Sequence, residues 1–297
     1  MRHRVDTDRR LIPPAVVAVA LGILVLTGCG RQGPEPAPAA GQTRNNLSVL
    51  VFTRTTGFRH ASIEDGVAAI RRLGAANGFT VEATEDPTRI EEGALERFQV
   101  VVFLSSTGEP LHPPQRETLR RWVEGGGGWV GVHAAADAMY DWPWYGDLVG
   151  AWFQRHPSVQ RATVRVADRD HPSTRSLPVA WTRSEEWYDF LDNPRGRVHV
   201  LAVVDESSYQ GGGMGADHPV IWCHQQGRGR SWYTALGHSK ESWSEPLSWP
   251  TSLAASSGRH ATTSVSPGRA APLGSSWSRW RRALPGSGRR TCRRPLP

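Results

Sequence analysis

Apolar positions in the first half of the chain alternate between two rhythms. Leu47–Phe52 (LSVLVF) is a short run of strand type, whereas Ile63–Asn77 sets Ile63, Val67, Ile70 and Leu73 at helical spacing. Phe79–Ala83 (FTVEA) alternates with the period of a strand, and Val100–Leu104 (VVVFL) is an unbroken apolar run, as expected of a strand buried on both faces. Pro113–Glu124 reads as a helix with Pro113 or Pro114 in its first turn and Gly125 as its stop. Gly125–Gly128 then leads into the buried run Trp129–Val132. This β-α-β-β-α-β succession with short connections predicts a parallel sheet covered by helices. The second half is richer in strands: Thr163–Val166, Val198–Val204, Pro219–Trp222 and Ser231–Ala235, the last two joined by a turn at Gly227–Arg230.

Charge changes the picture at the two ends. The 297 residues carry 35 Lys+Arg and 28 Asp+Glu, a formal +7, but residues 1–30 account for +2, residues 251–297 for +9, and residues 31–250 for −4. The central domain is therefore mildly acidic and has no basic helix or finger pattern, so no nucleic acid is expected as its partner. Arg2, Arg4, Arg9 and Arg10 precede an uncharged stretch from Ala15 to Leu26, too short for a membrane span and right for a secretory signal. Leu26-Thr27-Gly28-Cys29 follows directly and resembles the bacterial lipobox, which makes Cys29 the expected lipidation site. Residues 1–28 are thus read as signal, 29–46, with Pro34, Pro36 and Pro38, as a flexible tether, and 47–246 as the folded domain. The mature protein is expected outside the cytoplasm, lipid-anchored to the membrane. Residues 247–297 lose all periodicity and hold Ser, Ala, Gly, Pro and Arg without an acid, as an out-of-frame reading of GC-rich DNA would. We read them as a frameshifted or disordered basic tail. The three cysteines form no C-x-x-C pair and no disulfide framework.

Ligands of open parallel sheets sit beyond the carboxyl ends of the strands. Here those positions are polar: Thr53–His60 (TRTTGFRH), Ser105–Gly108 (SSTG) and His133–Asp137 (HAAAD). His60 and His133 follow different strands at this edge, and Asp137 falls on the face of His133 if a helix starts there. Gly131-Val132-His133-Ala134-Ala135 has the small-residue frame of a nucleophile elbow, with an imidazole, a base or a metal ligand, at the reactive position. Glu185 and Glu186 are adjacent, so in a strand they point to opposite faces and cannot both serve as an acid/base pair. One of them, with His133, is expected to do acid/base work, and Glu186 is the candidate. Neutral imidazoles with such a carboxylate would suit a divalent metal such as zinc, although no compact H-E-x-x-H spacing occurs. Trp142, Trp144, Tyr145, Trp152, Trp187 and Tyr188 offer either a stacking surface for sugar rings or core filling. Cys223 reads as a small buried hydrophobe, and His112, His171, His199, His218 and His260 are left unassigned or at the surface.

Thr56-Gly57-Phe58-Arg59-His60-Ala61-Ser62-Ile63, Gly126–Ala135 (GGGWVGVHAA), Gly150–Phe153 through His156-Pro157, Glu185–Tyr188 (EEWY), His218–Trp222 (HPVIW) and Gly227–Gly237-His238 occur in order over residues 47–246. Together they resemble the ThuA-like, or trehalose-utilisation, family. The resemblance implies a flavodoxin-like three-layer α/β sandwich with a mostly parallel sheet, related to class I glutamine amidotransferases, with histidine in place of the catalytic cysteine. It also implies a role in the metabolism of trehalose-type disaccharides or oxidised sugar derivatives, with a small carbohydrate as ligand, and argues against glutamine amidotransferase activity. His133, Glu186 and His60 are then the expected catalytic residues, and Asp137, Trp152, His156, Tyr188, His224 and His238 the expected ligand-binding ones. A non-catalytic carbohydrate-binding lipoprotein is the alternative. Family members continue past the position of Pro246 into a helix on the sheet, a pattern from which this sequence departs.

Overall fold

The computed structural model describes residues 47–244. The signal, the lipobox with Cys29, the tether and the basic tail lie outside the described residues. No described helix is long and apolar enough to cross a membrane.

Strand β1 (Ser48–Phe52) is buried after its first residue, and β3 (Val100–Leu104) and β4 (Gly128–Val132) are buried throughout. Between them α1 (Ile63–Asn77) buries Ile63, Gly66, Ala69, Ile70 and Gly74, one stripe at three- and four-residue spacing, and carries Glu64 and Asp65 in its electropositive first turn. A side chain at Gly66 would meet Leu104 and Trp243 at 2.9 and 2.8 Å, so the glycine lets α1 lie close to the sheet. Strand β2 (Thr80–Thr84) follows, and α2 (Pro113–Glu124) starts at the expected proline, where the His112 N–H donates to Gln115 Oε1 at 3.1 Å. The chain continues through α3 (Pro143–Val149), β5 (Phe153–Arg155), β6 (Gln160–Val166), β7 (Ala180–Glu185), β8 (Asp189–Phe190), β9 (His199–Asp205), β10 (Pro219–Gln226) and β11 (Gly229–Thr234).

Nine strands form one sheet in the order β2-β1-β3-β4-β11-β10-β9-β6-β7, and β5 pairs with β8 in a separate two-stranded sheet. The first five are mutually parallel, and the rest pair antiparallel, so the sheet is mixed, with a parallel core. The crossover through α1 moves outward from β1 to β2, and that through α2 moves the opposite way from β3 to β4. With a common right-handed sense, the two helices cover opposite faces, which gives the three-layer sandwich. Under one face Phe103 packs with Phe52, Trp129 and Tyr145 at centroid distances of 5.2, 5.8 and 6.1 Å. Trp129, Trp187 and Trp222 are fully buried. Trp142, Trp144 and Trp152 are partly buried and pack against the core. His218, expected at the surface or unassigned, is buried.

Candidate functional site

Four chain segments converge where strands end. His60 closes the loop after β1, His133 is the first residue after β4, Glu186 the first after β7, and His238 lies four residues past β11. Thr234 of β11 is paired with Val132 of β4, so the two parallel strands release their following residues side by side. His133 sits at φ 50°, a left-handed turn that non-glycine residues seldom adopt. This is the strained elbow its sequence frame suggests, with the imidazole lifted above the sheet edge. Only a single 3-10 turn, His133–Ala136, follows, so the helix that would have aligned Asp137 with His133 does not form.

One ligand-type atom from each of His60, His133, Glu186 and His238 lies within 4.8 Å of every other. His133 Nε2 is 3.2 Å from His60 Nε2 and 3.3 Å from Glu186 Oε2. Glu186 Oε2 is also 3.7 Å from His60 Nε2 and 3.0 Å from His238 Nδ1. His133 Nδ1 lies 2.7 Å from the Ala235 carbonyl, which can only accept, so Nδ1 carries the proton and Nε2 turns its lone pair to the cluster. Tyr188 Oη is 3.0 Å from the same Nε2, its ring stacked on that of His133. His60 Nδ1 and His238 Nδ1 are buried and make no hydrogen bond. The short separations around His238 thus lack the alignment of a hydrogen bond, as expected of donors grouped around one point.

These groups hold one another's charge. Burial would raise the Glu186 carboxyl, but His133, His238 and His60 around it outweigh that and hold it well below the ordinary carboxylate range. Burial lowers His60, against the pull of Glu186, and the adjacent Glu186 carboxylate raises His238. Every ion pair of Glu186 among the described residues is with an imidazole, His156 included at 3.5 Å.

Three imidazoles and one carboxylate are a ligand set for zinc or a similar divalent ion. Bonds of about 2.0–2.1 Å put the ligand atoms of a tetrahedral zinc about 3.3 Å apart, close to the four separations of 3.0 to 3.7 Å given above. The Ala235 carbonyl fixes the orientation of the His133 imidazole, as an outer contact does for an imidazole that binds a metal.

The other expected residues divide. His156 and Tyr188 border the cluster. Asp137 is half-buried beside it, accepts from Tyr140 Oη at 2.9 Å, and has its carboxyl raised by burial. Trp152 stacks on Tyr140 with centroids 5.8 Å apart. His224 is not brought in: it pairs with Ser231 at the far end of β11, and its Nε2 lies 2.8 Å from the Asp147 carbonyl. Phe58, which the sequence reading passed over, is 68% exposed and stands edge-on to His60 at 4.9 Å. A second gathering, Asp189, Glu206 and His218, was also missed. It is closed by donors from Gly213 N, Met214 N and Arg155 and by the contact of His218 Nε2 with the Tyr188 carbonyl, and it reads as a tie between loops.

No curated protein matches the chain. Among solved structures, a ThuA-like protein of Bacteroides uniformis ATCC 8492 superposes with a TM-score of 0.63 at 24% identity, over 74% of this chain and 93% of the other. One from Parabacteroides merdae ATCC 43184 does so with a TM-score of 0.59 at 16% identity, over 74% and 92%. At such identities the likeness is one of fold. The sequence itself matches the ThuA family, described as trehalose utilisation, over residues 48–254, and on that match the chain belongs to the ThuA family.

Proposed function

We propose that this protein is an extracytoplasmic, lipid-anchored enzyme that acts on a disaccharide or an oxidised sugar derivative at a divalent-metal centre held by His60, His133, His238 and Glu186. The observation that carries the reading is the convergence of these four side chains at strand ends, three of them with ligand atoms 3.2 to 3.7 Å apart. A bound divalent cation would polarise a sugar oxygen and lower the cost of removing a neighbouring proton. Glu186 and His133 touch, so they cannot flank a substrate bond as separate acid and base, which needs about 5 Å or more between the groups. Proton transfer falls instead to Asp137, whose raised carboxyl and Tyr140 partner suit a group that takes up and returns a proton. Tyr188 steadies His133, and Phe58, Tyr140 and Trp152 supply apolar faces for a sugar ring. Cys29 and the stretch before it support export and lipid attachment.

The test is metal analysis of purified protein, then product analysis with a panel of disaccharides and their oxidised derivatives. Bound metal, with turnover lost to chelator and to His133→Ala, is the expected result. Sugar binding without turnover would replace the enzyme by a carbohydrate-binding lipoprotein, and absence of metal uptake would overturn the centre.

A further inference from the structure

Glu185 adjoins Glu186 in the chain but serves different atoms. It is the last residue of β7 and fully buried at 0% exposure, a costly place for a carboxylate unless its oxygens are satisfied. Its Oε1 accepts from Arg183 Nη2 at 2.6 Å, Ser242 Oγ at 2.7 Å and Gly237 N at 3.1 Å, and its Oε2 accepts from His238 N at 3.1 Å. Three of these four donors belong to residues 237–242, the segment that presents His238. The chain from residue 235 to 237, just ahead of His238, also contacts His133 and the residues beside His60. The Ala235 carbonyl fixes His133, and the Gly237 carbonyl accepts from Ser62 Oγ at 3.1 Å, two residues beyond His60.

We infer that Glu185 is a positioning residue for the centre: its carboxylate holds the backbone of Gly237 and His238 so that the His238 imidazole meets Glu186. Because Glu185 and Glu186 are consecutive, one dipeptide sets the spacing between two of the four ligands. Glu186 supplies the oxygen, and Glu185 fixes the segment that supplies the nitrogen. A buried pair with Arg183 alone would need none of the contacts to 237–242, so a purely structural role leaves three of the four donors unexplained. The inference rests on the reading of the four side chains as a cation site.

Glu185→Asp keeps the negative charge beside Arg183 but shortens the reach by one methylene. Ser242→Ala removes a single donor and serves if the first variant does not fold. Zinc dissociation constants are measured on the full chain by competition with a chromophoric chelator, for both variants, for His238→Ala and for the double variants. Hydrogen exchange of residues 236–243 is followed in metal-free protein. Glu185→Asp is expected to weaken zinc binding about 10- to 100-fold and Ser242→Ala less, with little further loss from either in the His238→Ala background. Both should speed exchange in 236–243. Unchanged zinc affinity, or losses that simply add in the double variants, would overturn the inference. If the wild-type chain takes up no zinc, the proposed centre fails, and the exchange data alone decide whether Glu185 holds the segment: unchanged exchange overturns it.

Discussion

Gly237→Ala strikes the cluster from beneath. Gly237 has φ +120°, where side chains are strained, and a Cβ there would lie 3.1 Å from Val132 Cγ1, 3.4 Å from Trp243 Cζ2 and 3.9 Å from His133 Cβ. The backbone term is worth about 1–3 kcal/mol, and the contact with Val132 adds to it because that strand residue is fixed in the sheet. For a domain of this size each kcal/mol corresponds to roughly 2–4 °C, so the backbone term alone should lower the melting temperature of metal-free protein by about 2–12 °C, and the Val132 contact takes the fall further. Gly215→Ala is the control: its φ of +77° is also positive, but nothing lies within 4 Å of the added carbon, so only the backbone term, about 1 kcal/mol, applies. Because Gly237 adjoins His238 and passes against His133, its substitution should also weaken zinc binding, whereas Gly215→Ala should leave it unchanged. Thermal melts and zinc titrations of both variants check this. Equal melting temperatures in the two variants, or wild-type zinc affinity in Gly237→Ala, would refute the geometry on which the cluster is built.

Burial pushes the Cys223 thiol up to about 12, so at pH 8 the thiolate is on the order of one part in ten thousand. Iodoacetamide followed by peptide mapping should find Cys223, which is partly buried, modified far more slowly in native protein than in denaturant; equal rates would contradict the raised thiol. His60 is lowered by burial from an ordinary 6.5, so the stability it contributes is complete above that value and is lost as the pH falls through its folded pKa. The His60 contribution to the urea midpoint of metal-free protein should fall as the pH drops below about 6.5, at up to about 1.4 kcal/mol per unit, and is read as the difference between wild type and His60→Asn, because the raised His238 acts in the opposite sense. Phe58→Ala, at an exposed position, should change stability by less than about 0.5 kcal/mol yet weaken trehalose binding several-fold, read by calorimetry. A stability loss with unaltered binding would assign Phe58 to packing instead.

Most of the sheet was legible because its buried strands are apolar on every residue or on alternate ones. Val100–Leu104 and the helices Ile63–Asn77 and Pro113–Glu124 fall where the pattern sets them. Strand β7 was not legible, and its burial shows why. In Ala180–Glu185 the two fully buried positions are Arg183 and Glu185, so the inward face carries an ion pair and a hydropathy pattern reads it as solvent-facing. Strands β5 and β8, three and two residues long, are too short to show a period. The parallel expectation held for the first five strands in sheet order. In the second half the turn expected at Gly227–Arg230 makes β10 and β11 a hairpin, and the pairings beyond it in sheet order are antiparallel.

The candidate site was half legible for a topological reason. His60 and His133 follow apolar runs, and the rule that ligands gather at strand ends picks them out without a fold. His238 joins them only because the last strand enters the middle of the sheet, between β4 and β10, an insertion that no local pattern encodes. Glu186 needs more still. Strand β7 is the far edge of the sheet, four strand spacings from β11, about 19 Å if the sheet were flat. Yet Glu185 Oε1 is 3.1 Å from Gly237 N, just past the end of β11. A glutamate side chain spans only part of that gap; the residues between Thr234 and Gly237 and the coiling that strand twist favours close the rest. The coil brings a carboxylate to three imidazoles that the parallel core positions. This makes the cluster a property of the whole sheet, sensitive to changes along β7, β6 and β9 that touch none of its ligands.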